Sequence, residues 1–243
     1  MEPKFIAHFT VNSHDTDKNG NLQPSALLRL FHEAANLQFE AGHPTLDELR
    51  YEEKKAFLLS RAAVSAKRPI RSFEKLTVTT WAGGGRAASF YRCGEVLADG
   101  EVIASLVSVW ALMDLETGRL CRVKDTVLPF VSLEEYPLEI PGHFRFPAEM
   151  TLTEMGKRRV CNSDIDINRH MNNTNYPDML SDYIPGIEDM KVLDFQIAYI
   201  HEAPLGMTLT VYHGVYEGKH YVRTLREDGS LNAEAVFTLE AAL

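Results

Sequence analysis

The hydrophobic positions of this 243-residue chain follow two patterns, one typical of helices and one typical of strands. Between Pro24 and Glu40 apolar residues recur at helical spacing with few polar flanks, which predicts a largely buried helix. After Phe57 the pattern changes to strand-like runs separated by turns such as Asp99-Gly100, a strong hairpin signal. A buried helix followed by strands, rather than alternating with them, predicts an antiparallel sheet with the helix on one face, an α+β arrangement.

The second half of the chain repeats this order: a strand, a polar stretch, a helix and then more strands. The first polar stretch, Asp15-Thr-Asp-Lys-Asn-Gly-Asn21, aligns without gaps with Asp164-Ile-Asp-Ile-Asn-Arg-His170, at an offset of about 150 residues. We therefore predict two similar α+β units in one chain. The predicted strands are 5–11, 57–65, 75–81, 87–97 and 101–113 in the first half, and 191–199, 207–215, 220–226 and 232–239 in the second; a further exposed helix is predicted at 45–55.

The repeat implies an N-terminal unit at 1–128, a linker at 129–148 and a C-terminal unit at 149–243. The linker is rich in proline and acidic residues, which is typical of a connection that crosses the surface. Asn21 stands where the second copy has His170, and a neutral amide cannot act as a base. We therefore predict that the C-terminal unit is catalytic and that the N-terminal unit, with the more apolar helix, forms the substrate pocket.

The polar stretch around His170 carries the candidate chemistry. From Asp164 to His170 polar residues alternate with isoleucines, which predicts an extended segment with one polar and one apolar face. A solvated turn is the alternative interpretation, because Asp and Asn are common in turns.

A short helix is predicted directly after this stretch. The residues at 172–174 are good N-cap types, and the helix would run from Tyr176 to Tyr183 before Pro185-Gly186 ends it. His170 would then lie beside the free N–H groups of a helix start. An imidazole next to such donors suits attack on a carbonyl, because it offers a base for water and donors for the oxyanion.

Composition excludes several classes of function. The formal net charge of −9 argues against general nucleic-acid binding, which requires a basic surface. No apolar run approaches the length of a membrane span, and the N-terminus resembles neither a signal nor a transit peptide. Cys93, Cys121 and Cys161 are scattered and odd in number, which predicts reduced thiols in a cytoplasmic protein. No Cys-x-x-Cys or His-Glu-x-x-His motif supports a zinc site.

The polar stretch also resembles the signature Asp-x-Asn-x-His-Val-Asn-Asn of the acyl-acyl carrier protein (acyl-ACP) thioesterases of plant plastids and bacteria. It reads Asp166-Ile-Asn-Arg-His-Met-Asn-Asn173 and is followed by Tyr176. Where that family has Tyr-Arg-Arg-Glu-Cys, this chain has Tyr199-Ile-His-Glu-Ala203. The likeness extends over nearly the whole chain.

The resemblance implies a tandem (double) hotdog fold, in which two antiparallel sheets are each wrapped around a central helix. It implies hydrolysis of fatty acyl-ACP thioesters to free fatty acid and acyl carrier protein, which ends fatty acid chain elongation. The partner is then acyl carrier protein carrying a fatty acyl chain, and no metal or organic cofactor is expected. Both a monomer and a homodimer are compatible with a chain that already contains two hotdog units.

Four residues match the family's catalytic set: Asp166, Asn168, His170 and Glu202. The resemblance implies that Glu202 deprotonates water or attacks the thioester directly, while His170 hydrogen-bonds the water or the oxyanion. Asn168 would orient the reactants, and Asp166 would either hold the tautomer of His170 or brace the loop. Ala203 replaces the family's Cys, which excludes a cysteine nucleophile at that position.

Two other functions compete with this interpretation. An acyl-CoA thioesterase of the hotdog superfamily would use similar catalytic residues with a different acyl carrier. A non-catalytic acyl-binding module would bind the chain without turnover, although it would need neither His170 nor Glu202. The preferred acyl chain length cannot be derived from these motifs.

Overall fold

Among the residues that the structure describes, each half of the chain contains five strands and one α-helix. The computed structural model describes residues 3–126, 131–132, 134–142 and 144–241. It divides into one unit of Met1–Leu22 and Ala26–Pro141 and a second of Gln23–Ser25 and Gly142–Leu243.

The first unit contains an antiparallel sheet. Its strands have the spatial order β1-β3-β4-β5-β2. The turn between β4 and β5 is the predicted Asp99-Gly100 hairpin, and both residues have positive φ, 51° and 84°. The strands are β1 Lys4–Thr10, β2 Lys55–Ala66, β3 Lys75–Arg86, β4 Ser89–Ala98 and β5 Glu101–Asp114.

Helix α1, Pro24–Glu40, forms where helical periodicity predicts it and packs against this sheet. Leu28, Phe31 and Ala34 form its buried stripe. The ring of Phe31 lies so close to Gly94 of β4 that a Cβ atom there would be 2.6 Å from a ring carbon. Glycine at this position therefore allows the helix to approach the sheet, and the core of the unit lies between them.

The predicted helix at 45–55 is confirmed over residues 46–52 and ends earlier than predicted. Its last part, Glu48–Glu52, is a π-helical turn, and Lys55 already pairs with Asp114 in the sheet. Lys54 has a positive φ of 54°, which a helix does not accept. The pairing of β2 with β5 thus takes Lys55, which local propensity alone assigns to the end of the helix.

The strands of the second unit are also antiparallel and have the order β7-β10-β9-β8-β6. Helix α2, Tyr176–Ser181, is shorter than the predicted 176–183, and most of its side chains are buried. The strands are β6 Thr153–Arg159, β7 Met190–Tyr199, β8 Thr208–Tyr216, β9 Lys219–Leu225 and β10 Leu231–Ala241.

The segment predicted as a linker is partly packed. Residues 129, 130, 133 and 143 of it lie outside the described residues. Leu138 and Ile140 pack against the buried cluster around Trp81, and the hydroxyl of Tyr136 donates a hydrogen bond to the carbonyl of Gly83 at 2.6 Å. The boundaries 1–128, 129–148 and 149–243 stay a prediction. Within the described part of the chain, no helix has the length and hydrophobicity that crossing a membrane requires.

Candidate active site

The stretch from Asp164 to His170 is a turn, so the predicted extended segment is wrong; the turn of the alternative interpretation is present, but it is not fully solvated, because Asp164 is buried. The amide of Asp166 donates to the carbonyl of His170 at 3.2 Å, and the amide of Arg169 donates to the carbonyl of Asp166 at 2.9 Å. Arg169 has a φ of 64°, in the left-handed region. Ile167 is 62% exposed, so the predicted apolar face does not exist.

The carboxylate of Asp166 explains why the turn wins over an extended chain. Its Oδ1 accepts a hydrogen bond from the amide of Asn168 at 2.7 Å. Such a local side-chain bond offers the backbone a partner that a strand ladder would otherwise supply. Of the two roles considered for Asp166, this geometry corresponds to bracing the loop. The side chain of Asn168 is half-buried in the same turn.

An ion pair anchors the turn at its first residue. Asp164 is 8% exposed, and its two carboxylate oxygens accept from one guanidinium nitrogen of Arg158 at 2.8 and 2.9 Å. Its Oδ2 also accepts from the amide of Cys161 at 2.7 Å. Several charge-assisted hydrogen bonds therefore hold the start of the turn against β6.

His170 is half-buried at the end of the turn, and its surroundings select one neutral tautomer. Its Nδ1 lies 3.3 Å from the carbonyl oxygen of Met171. Because a carbonyl only accepts, this hydrogen bond places the proton on Nδ1 and leaves the lone pair on Nε2. A backbone carbonyl, and not Asp166, therefore orients the imidazole, and Nε2 can accept a proton from a substrate or water.

Glu202 is brought beside His170 by backbone pairing across some thirty residues of sequence. The amide of Met171 donates to the carbonyl of Ala203 at 2.9 Å, and His170 forms an antiparallel bridge with Pro204. Met171 and Ala203 are buried, whereas Glu202 is exposed. Since side chains alternate along paired segments, His170 and Glu202 lie on the same outward side, as diagonal neighbours about 7–8 Å apart.

The helix start offers fewer donors than the sequence predicts. Asn172 caps a 3₁₀ turn at Asn173–Asn175, and its Oδ1 accepts from the amide and the hydroxyl of Thr174, both at 2.9 Å. The amides of Asn175 and Tyr176 also donate within this turn. The prediction of a row of free N–H groups is therefore wrong for these three amides, because the 3₁₀ turn uses them internally.

Two tyrosines lie next to the candidate site, and burial raises the pKa of both phenols. The pKa of Tyr176 rises to about 12, and that of Tyr199 lies well above its ordinary value. Their rings meet edge to face at 5.3 Å, and the Tyr199 hydroxyl donates to the carbonyl of Asn173 at 3.0 Å. Both phenols stay protonated at neutral pH, so they act as hydrogen-bonding supports and not as bases.

Comparison with protein families decides the identity. The model of the acyl-ACP thioesterase N-terminal domain matches residues 2–130, and that of the acyl-ACP thioesterase C-terminal domain matches residues 148–238. This chain belongs to the acyl-ACP thioesterase family. As such it is a thioester hydrolase, and acyl-ACP is its substrate, as the sequence motifs predicted. Comparison with curated protein sequences gives no match.

Solved structures of acyl-ACP thioesterases share the fold. An acyl-ACP thioesterase from Bacteroides thetaiotaomicron is 23% identical, with a TM-score of 0.86 and 98% of each chain covered. The 12:0-ACP thioesterase from Umbellularia californica is 18% identical, with a TM-score of 0.84, and the match covers 100% of this chain and 99% of that one. The predicted α+β tandem hotdog fold is confirmed.

Sequence motifs missed three parts of the thioesterase site. They did not indicate the ion pair between Arg158 and Asp164, the carbonyl of Ala203 as the partner of the His170 segment, or Asn232 of β10. The ion pair joins residues six apart across a turn that the sequence pattern did not predict, and the second contact depends on pairing between distant segments, which leaves no local pattern. Asn232 is a single polar residue at the start of a strand, and such residues are usually solvated.

Proposed function

We propose that Asp166, Asn168, His170 and Glu202 form the catalytic site with which this thioesterase converts fatty acyl-ACP to free fatty acid and acyl carrier protein, ending chain elongation. The observation that carries the proposal is the hydrogen bond from Met171 to Ala203, which aligns the His170 and Glu202 segments. A thioester carbonyl is electrophilic and a thiolate leaves readily, so an oriented, deprotonated water is the main requirement.

The tautomer of His170 defines its role toward water. Nε2 carries a lone pair, so it accepts a hydrogen bond from the attacking water and does not donate to the oxyanion. The Glu202 carboxylate accepts the second hydrogen of the same water and takes up its proton. The water oxygen bonds to the carbonyl carbon, the tetrahedral intermediate collapses with cleavage of the C–S bond, and the proton passes on to the thiolate.

Asp166 and Asn168 contribute through the turn. Asp166 holds the backbone of Asn168 and thereby the conformation that presents His170. Asn168 can orient the thioester with its amide group, which offers both a donor and an acceptor. Direct attack by Glu202 to form a mixed anhydride is the alternative to the water mechanism, and it uses the same positions.

The proposal is tested with a series of acyl-ACP thioesters of different chain length and with the matching acyl-CoA thioesters. We expect His170→Ala and Glu202→Ala to lower kcat by about 100- to 1,000-fold on every acyl-ACP. The conservative change Asp228→Asn, in an exposed hairpin, serves as the control and keeps wild-type rates. Near-normal turnover by both alanine variants, with normal folding, would refute these roles.

The same assay covers the competing functions. A higher kcat/KM on acyl-CoA than on acyl-ACP would contradict the carrier preference. Bound fatty acid without turnover would indicate an acyl-binding module.

We also propose a cytoplasmic location, because Cys93, Cys121 and Cys161 are all free thiols, a state that a reducing compartment maintains. Cell fractionation tests this proposal, and recovery of the protein outside the cytoplasmic fraction would contradict it. Light scattering distinguishes the monomer from the homodimer that the duplication also permits.

A further inference from the structure

Asn232 is a buried polar residue at an irregular point of the second sheet. Its exposed fraction is 1%. On either side of it Leu231 pairs with Leu225 and Ala233 pairs with Thr224, so Asn232 is the extra residue of a β-bulge in β10. Bulges redirect a side chain out of the regular alternation and are common beside active sites.

The side chain of Asn232 connects two segments of the candidate active site. Its Nδ2 donates to the hydroxyl of Tyr176 at 3.1 Å and also to the carbonyl of His201. Its Oδ1 accepts from the hydroxyl of Thr224 at 2.8 Å. The amide therefore uses both donors and its acceptor, which offsets the free energy of burying a polar group.

The backbone of Asn232 holds the same loop. Its carbonyl accepts from the amides of Ile200 and His201, at 2.9 and 3.1 Å. The residue preceding Glu202 is thus fixed through both its N–H and its C=O. Through Tyr176, the same amide is tied to the helix that follows His170 in sequence.

The first unit shows that the fold itself does not require these polar groups. Its sheet has the equivalent bulge in β5, where Val102 pairs with Leu97 and Ala104 pairs with Val96. The carbonyl of the bulged residue there accepts from Lys67 at 2.9 Å, as that of Asn232 accepts from Ile200. The residues of the first unit that correspond to Asn232, Thr224 and Tyr176 are apolar and buried: Ile103, Val96 and Leu27.

We propose that Asn232 is a positioning residue that sets the separation of Glu202 and His170 by cross-linking their segments. The first unit, which does not carry the proposed catalytic groups, forms the same bulge with apolar side chains. The polar network therefore accompanies the catalytic groups and not the fold. This inference rests on the proposed roles of His170 and Glu202.

The test compares Asn232→Ile, which installs the residue of the first unit, with Asn232→Asp. We expect Asn232→Ile to lower kcat on acyl-ACP by about 10- to 100-fold with KM changed less than about threefold, because small displacements of catalytic groups reduce rate more than binding. Val222→Ala, a buried change in β9, is the control for lost stability, and we expect it to keep the wild-type kcat.

The Asn232→Asp variant gives a readout that a purely structural role would not. The introduced carboxylate lacks both donors when it is ionised, whereas the protonated acid regains one, and burial raises its pKa. With the protein folded throughout, kcat of Asn232→Asp relative to wild type should rise as the pH is lowered, and Asn232→Ile should show no such recovery. Should Asn232→Asp not fold, Tyr176→Phe removes a single partner, and we expect a loss of about threefold to tenfold in kcat.

Several outcomes would overturn the inference. One is a kcat of Asn232→Ile within about twofold of the wild-type value. Another is an equal loss of kcat in Val222→Ala when the two variants have the same stability. If His170→Ala and Glu202→Ala also keep wild-type rates, the proposed function fails; if they lose activity while Asn232→Ile does not, only the positioning role fails.

Discussion

The turn before α1 and the turn before α2 have the same backbone and different chemistry. In the first unit the backbone amide of Asp17 donates to the carbonyl of Asn21 at 2.8 Å, as the amide of Asp166 donates to that of His170 at 3.2 Å in the second. The carboxylate of Asp17 accepts from the amide two residues later at 2.8 Å, as that of Asp166 does at 2.7 Å. The gapless alignment predicted from sequence is thus matched by these two hydrogen bonds in each turn.

The difference between the two turns lies in the side chains that they present. The amide of Leu22 donates to the carbonyl of Ile70 at 2.7 Å, as that of Met171 donates to Ala203. This pairing makes Pro69 the counterpart of Glu202, just as Asn21 is the counterpart of His170. At these two positions the first unit therefore lacks a side chain that can take a proton from water. Both units therefore share the scaffold of the turn, whereas the proposed catalytic groups occur in the second unit.

The largest effect is expected when the second turn receives the side chain of the first. We expect His170→Asn to fold normally, because Asn21 occupies the same backbone conformation, and to lose about 100- to 1,000-fold in kcat. The reverse change, Asn21→His, is the matched control and keeps the wild-type rate. Substantial turnover by His170→Asn, measured by release of free acid from acyl-ACP, would show that the imidazole is dispensable.

The anchors of the two turns also differ. Asp164 forms two short contacts with Arg158, whereas Asp15 forms one contact of 3.4 Å with Arg29, whose side chain is 41% exposed. We expect Arg158→Met to lower the free energy of unfolding by about 2 to 3 kcal/mol, because it leaves a buried carboxylate without its charged partner. Arg29→Met should cost less than about 0.5 kcal/mol. Equal losses in urea unfolding would contradict this ranking.

The first unit also contains a buried imidazole, that of His32. His32 on α1 packs against Trp110, its Nε2 is buried without a hydrogen-bond partner among the described residues, and burial lowers its pKa to about 4. The unfolded chain, with an ordinary His pKa of 6.5, therefore binds more protons than the folded protein between these two pKa values. The contribution of His32 to stability is present above pH 6.5 and is lost as the pH falls towards 4.

We expect this titration to remove about 2 kcal/mol of stability between pH 7 and pH 5. Over the same pH interval the free energy of unfolding of His32→Leu should fall by about 2 kcal/mol less than that of wild type. Urea unfolding at both pH values measures this difference. The imidazoles of His213 and His220, whose pKa values burial also lowers, remain in both proteins, and their effects cancel in the comparison. Parallel pH profiles for wild type and variant would contradict the assignment.

The sequence alone determined the elements with a strong local period and the repeat that relates them. Helix α1 follows from its apolar spacing, the Asp99-Gly100 hairpin from the φ values that its turn requires, and the two units from the aligned polar stretches. The motif around His170, taken together with Glu202, indicated the family. Such features can be predicted because the information lies within a few neighbouring residues.

Tertiary structure decided what depends on distant partners. Local alternation predicted an extended segment at 164–170, but the carboxylates of Asp164 and Asp166 fold it into a turn. Lys55, predicted as the last residue of a helix, joined β2, because pairing with β5 outweighs local propensity. The approach of Glu202 to His170 and the support from Asn232 arise from hydrogen bonds between segments far apart in sequence, where no periodic pattern records which residues will meet.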